Sequence, residues 1–245
     1  MSALFFLLGL AVGSFLNLCI DRLPERESII RPSSHCDACQ HTLEPLDLVP
    51  LLSYLYLKGG CRYCGASIPY RVPVVEAMTG LIFALLWNSY GLSIELPLAI
   101  LFACLFIITV VIDIEHHLVL NRVVYPAIAL AFLVPALLPG FGIVSAVIGG
   151  MTGAGILLPL ALLVPGGMGM GDVKLAALIG LLVGFPQVFI ALLTSFVLGG
   201  AVASGLLLTR RKGRKDPISF APFLTAGLVT TVLYGEKILR LYVGV

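Results

Sequence analysis

Apolar runs of helical length recur from one end of this chain to the other, and no soluble core can absorb so many of them. A bilayer core takes roughly 20 apolar residues per helical crossing. Runs at 2–20, 73–90, 96–112, 122–138, 143–164, 173–184, 188–208 and 219–240 therefore predict an all-α polytopic membrane protein of about eight transmembrane helices. Hydrophobic residues make up 59% of the 245, against roughly 45–50% in soluble domains. The first run has no positively charged leader and no A-x-A cleavage site, so it reads as a retained span rather than a cleaved signal.

The largest polar stretch, 21–72, follows the first run. With residues 1–20 as the first helix and 73–245 as a helical bundle, it forms a small loop domain of its own. Lysine and arginine cluster in 21–72, 113–121, 165–172 and 209–218 with their flanks, and are missing from 91–95, 139–142 and 185–187. By the positive-inside rule the first set is cytoplasmic, which puts both termini outside. The net charge is only +2 and no basic run is interleaved with aromatics. Nothing here recruits nucleic acid. Gly149 and Gly153 lie four apart inside an apolar run with no preceding strand, a helix-packing face rather than a nucleotide loop.

The loop domain carries Cys36, Cys39, Cys61 and Cys64 as two CxxC pairs. Two such knuckles supply the four thiolates of a closed, structural Zn2+ site. A redox dithiol and four unliganded thiols are the alternatives, although a reducing cytoplasm disfavours disulfides. His35 and His41 stand nearby, solvated or beside the ligands. The isolated Cys19 and Cys104 read as small buried hydrophobes.

Two aspartates remain. Asp172 precedes the sixth run, where it suits an N-cap. Asp113 ends the third run, where the helix dipole disfavours an anion. The topology brings both to one membrane surface. Two carboxylates at one site share a proton, giving a general acid and a general base for water attack on a peptide carbonyl. Gly169 and Gly171, in the GxGD pattern, let backbone approach a substrate closely, and Lys174 follows as a further positioning residue. The cluster Asp113, Glu115, His116 and His117 is not an HExxH metal site, and no G-x-S-x-G motif is present.

The ordered set "GSFLNLCIDRLP" (13–24), the paired knuckles, "LVPLLSYL" (48–55), "CRYCGASIPYRVPVVE" (61–76), "VIDIEHHLVLN" (111–121), "GMGDVKLAALIG" (169–180) and "ISFAPFLTAG" (218–227) resembles the type IV prepilin peptidases. These are membrane aspartyl peptidases of bacteria. The resemblance implies removal of the basic leader from type IV prepilins or pseudopilins at the cytoplasmic face of the inner membrane, with Asp113 and Asp172 catalytic. It also implies methylation of the new N-terminus with S-adenosylmethionine, an activity that the cysteine loop accompanies and for which Gly59 is a position of interest. Leu120 and Asn121 stand where the family commonly has Pro-Asp, and Ser219 and Ala221 where it has Pro and Gly. The carboxylates Asp21, Glu25, Glu27, Asp37, Glu44 and Asp47 are expected to attract the basic leader. The competing expectations are a peptidase without methyl transfer, and a non-catalytic assembly or transport protein in which Asp172 only caps.

Overall fold

The computed structural model describes residues 1–138, 142–163, 168–210, 213 and 216–243. The expected loops at 139–142, 165–172 and 209–218 therefore lie partly outside the described residues, as does the end of the fifth expected span. Ten helices and no strands occur among the described residues. The chain divides into two units, Met1–Ile108 and Thr109–Val245, with the division inside one helix.

In the first unit α1 (Ser2–Glu25) packs along α3 (Arg71–Tyr90). The contact is close because small residues line it. A Cβ on Gly9 would stand 2.7 Å from the Gly80 Cα, and one on Gly13 would stand 2.8 Å from the Glu76 Cα. Between them the loop forms only the single-turn helix α2 (Leu52–Tyr56). Helix α4 (Glu95–His116) crosses from this unit into the second.

The second unit is built around α8 (Met170–Val183), which packs on α5 (Asn121–Ala131), α7 (Ile143–Leu163), α9 (Val188–Leu208) and α10 (Ala221–Val243). From Leu175 onwards its residues are apolar on every side, and nine of its fourteen residues are buried, as expected of a helix at the centre of a bundle. The pair Gly149 and Gly153 on α7 faces the carbonyls of Gly180 and Ala176 on α8, so any side chain there would overlap backbone. The helix-packing reading of these glycines stands.

Among the described residues five helices, α1, α3, α4, α7 and α9, are long and apolar enough to cross a membrane, so the expected all-α polytopic architecture holds with the count of eight approximate. The segment expected at 122–138 is broken into α5 and α6 (Val134–Leu137). Pro135 has no N–H to offer the Ala131 carbonyl, so the helix stops there. The segment expected at 173–184 starts at Met170, and its fourteen residues rise only about 21 Å.

Candidate active site and metal centre

Asp113 and Asp172 meet within the second unit although 59 positions separate them. Both are buried, at 5% and 9% exposure, and the charge of Asp113 acts directly on Asp172. Each carboxylate is aimed by backbone. The Ala221 N–H donates to Asp113 Oδ2 at 3.0 Å. The Gly169 N–H donates to Asp172 Oδ2 at 3.2 Å.

The first of these bonds answers why an anion stands at a helix C-terminus. Ala221 is the first residue of α10, so the Asp113 carboxylate sits at that helix's positive N-terminal end and satisfies one of its orphan N–H groups. The cost of an anion at the end of α4 is thus offset at the head of α10, and the carboxylate clamps α4 to α10. Ser219 completes the clamp. Its hydroxyl donates to the Asp113 carbonyl at 2.8 Å, and its oxygen lies 3.0 Å from His117 Nδ1. A hydroxyl has one proton, already given to the carbonyl, so His117 must present Nδ1–H towards Ser219. His117 follows the last residue of α4 with φ 53°, its N–H donating to the same Asp113 carbonyl at 2.9 Å. Sequence reasoning missed this arrangement. Its only sequence trace was the departure of Ser219 and Ala221 from the family motif.

Asp172 is the third residue of α8, not the residue before it, and Gly169 is the N-cap. The carboxylate reaches back to the cap's N–H, while the Asp172 N–H donates to the Gly169 carbonyl at 3.1 Å. This is the carboxylate half of a capping box. The capping and catalytic readings of Asp172 therefore coexist. Gly171 touches the protein itself: a Cβ on it would lie 2.5 Å from the Val119 Cβ. Gly169 is under no such constraint, since a Cβ there would meet Asp172 Oδ2 at an ordinary 3.6 Å. Lys174 Nζ donates to Asn121 Oδ1 at 2.8 Å and lies 5.0 Å from the Tyr125 ring centroid, so it ties α8 to α5.

In the first unit the Sγ atoms of Cys36, Cys39, Cys61 and Cys64 all lie within 4.8 Å of one another, with Cys36 and Cys64 at 3.8 Å. Thiolates about 2.3 Å from a tetrahedral ion stand about 3.8 Å apart, so the four fit a metal. The two knuckles share one design. The Gln40 N–H returns to the Cys36 carbonyl at 2.7 Å, and the Gly65 N–H to the Cys61 carbonyl at 2.9 Å. Both turning residues have positive φ, 58° and 73°. The backbone N–H groups of Cys64 and Tyr63 draw the Cys61 thiol down to about 7, towards the thiolate that metal binding needs. His41 stacks on Tyr63 at 3.7 Å and its Nδ1 lies 2.8 Å from the Thr42 carbonyl, while His35 Nδ1 lies 3.0 Å from the Ser33 carbonyl. Gly59 is a turn residue at φ 74°, its space closed by Tyr54 at 3.1 Å. Two of the six loop carboxylates are engaged within the protein, Asp47 with Arg62 at 2.7 Å and Asp21 with Arg71 at 2.6 Å.

Residues 7–90 match the bacterial peptidase A24 N-terminal domain, and residues 99–204 match the type IV leader peptidase family. A prepilin leader peptidase/N-methyltransferase of Bacillus subtilis is 35% identical over 246 residues, covering 99% of this chain and 98% of the relative. This chain belongs to the type IV leader peptidase family. Family proteins of the same name from Aeromonas hydrophila and Pseudomonas aeruginosa are 33% and 31% identical, over 98% and 96% of this chain and 93% and 91% of theirs. No solved structure matches the chain. The family match to 99–204 contains both Asp113 and Asp172, and the match to 7–90 contains all four cysteines.

Proposed function

We propose that this chain is an aspartic endopeptidase that removes the leader of type IV prepilins or pseudopilins, with Asp113 and Asp172 as the reacting pair. One observation carries the reading: two buried carboxylates, distant in sequence, lie near enough for the charge of one to act on the other, with each held by a backbone N–H. Side by side in a poorly solvated place, the two share one proton. The ionised member takes a proton from water as that water attacks the scissile carbonyl. The protonated member hydrogen-bonds the carbonyl oxygen, and a proton then passes to the departing amine. Hydrolysis on this scheme uses neither a metal nor a covalent intermediate.

The four cysteines would hold Zn2+, which with four thiolates filling its coordination supplies folding energy and leaves no position for substrate. N-terminal methylation comes from the relatives' names, and S-adenosylmethionine is the donor that the family resemblance implies. The charge pattern of the loops supports a reacting pair on the cytoplasmic face of a bacterial inner membrane.

A second reading has the two aspartates as structural clamps only, since both make structural hydrogen bonds. Asp113→Asn and Asp172→Asn separate the two, because an amide oxygen still accepts an N–H but the amide neither takes nor gives the catalytic proton. Purified into nanodiscs with a prepilin, each variant is expected to keep its thermal stability and lose cleavage by more than about 10³-fold. Near-normal cleavage by either would refute the dyad.

A further inference from the structure

Residues 46–57 contain one charged side chain, Asp47, and it is turned inward to Arg62 at 2.7 Å and Tyr63 at 3.2 Å. What this stretch shows outward is apolar. On α2 the positions Leu52, Leu55 and Tyr56 share one face at i, i+3 and i+4 spacing, and they are 66%, 71% and 81% exposed. A loop domain surrounded by water gains nothing from such a face.

The depth of α2 says what covers it. The Asp21–Arg71 ion pair, at 2.6 Å, bridges α1 and α3 at the edge of their apolar runs 2–20 and 73–90. From Arg71 to Glu76 helix α3 descends about 7 Å, and from Asp21 to Gly13, which backs onto Glu76, α1 descends about 12 Å. Glu76 Oε2 there accepts the Leu51 N–H at 2.8 Å. A glutamate side chain leans back towards its helix's N-terminus, but by less than this depth. The start of α2 is thus tethered below the ion pair. At that depth the spans also show apolar side chains outward, Phe15 on α1 and Val74 and Met78 on α3. Tyr70, 81% exposed beside Arg71 at the head of α3, is an aromatic of the interfacial kind just above this depth, and the exposed Lys58 follows α2 with an ammonium for lipid phosphates.

We propose that α2 is an interfacial helix, seated in the headgroup–acyl boundary of the bilayer with Leu52, Leu55 and Tyr56 against lipid. The loop domain is then attached to the membrane at three places, the ends of α1 and α3 and the face of α2. This holds whatever chemistry the second unit performs.

Tryptophan scanning tests it. Trp87 is the only tryptophan, and Trp87→Phe keeps a ring stacked on Phe5. In that background Leu55→Trp, Tyr56→Trp and, as a water-facing control, Glu44→Trp are placed in nanodiscs of phosphatidylcholine and phosphatidylglycerol. Lipids brominated high on the acyl chain should quench Leu55→Trp and Tyr56→Trp by at least about twofold and leave Glu44→Trp unchanged. Metal content equal to the parent's certifies that each loop is folded. Quenching by aqueous acrylamide as strong as at Glu44→Trp would overturn the proposal. So would blue-shifted emission indifferent to both quenchers, which would make the face a contact with a second copy of the chain or another protein.

Discussion

The two glycines of the GxGD pattern should respond differently to the same substitution. Gly171→Ala places a Cβ 2.5 Å from the Val119 Cβ and 3.0 Å from its Cγ2, where carbon atoms settle at about 3.5–4.0 Å. The start of α8 and the chain at Val119 must therefore separate by about 1 Å. Overpacking of this kind costs about 1–3 kcal/mol, and alanine returns about 1 kcal/mol of helix propensity. The net loss of stability is then about 0–2 kcal/mol. Activity is the sharper readout, because Asp172 is the adjacent residue and a 1 Å misplacement of a reacting group lowers rates about 10²-fold. Gly169→Ala meets only an ordinary 3.6 Å contact at a backbone conformation open to any residue, and should keep cleavage within about threefold. The assay is kcat and KM for prepilin cleavage in nanodiscs, with melting temperature alongside. The double variant Gly171→Ala/Val119→Gly removes the opposing Cβ and should recover most of kcat. Full activity in Gly171→Ala, or a loss that Val119→Gly does not relieve, would refute the packing argument and return Gly171 to direct contact with substrate.

Two further outcomes follow from the same geometry. Cys39→Ser should reduce bound zinc from about one per chain to near zero and make 21–72 sensitive to protease while α1 and α3 stay helical, since structural zinc supplies about 10–16 kcal/mol to small sites; elemental analysis and limited proteolysis check both. Ser219→Ala removes a bond to the Asp113 carbonyl and the acceptor facing His117, a loss of about 1 kcal/mol. Cleavage should fall in kcat with KM unchanged and return in Ser219→Thr; an alanine variant with unaltered kcat would leave Ser219 no part in positioning Asp113.

The four-cysteine cluster was legible in the sequence because each CxxC is a local turn, and only the meeting of two turns had to be assumed. The spans were legible for the same reason, since length and hydropathy are local. What escaped was long-range. The use of Asp113 by the head of α10 joins residues 108 positions apart, and no period or spacing announces it. The start of α8 was set three residues late because Met-Gly-Asp reads as loop, whereas the Asp172 carboxylate closes a turn that already includes it. The break in α5 was hidden by continuous hydropathy and made by Pro135. The loop carboxylates looked free in a list of charges, yet Asp21 and Asp47 each face a guanidinium.

The backbone-to-backbone approach of α7 and α8 at Gly149, Gly153 and Gly180 also sets the two aspartates of the proposed pair apart in how they are held. With no side chains between them to change rotamer, these helices can neither slide nor rotate without collision. Asp172 is therefore carried on an immobile post. Asp113 is held instead by a few hydrogen bonds between the ends of two helices and Ser219. A compound that wedges between the end of α4 and the head of α10 would take the Asp113 carboxylate away from the Ala221 N–H that holds it.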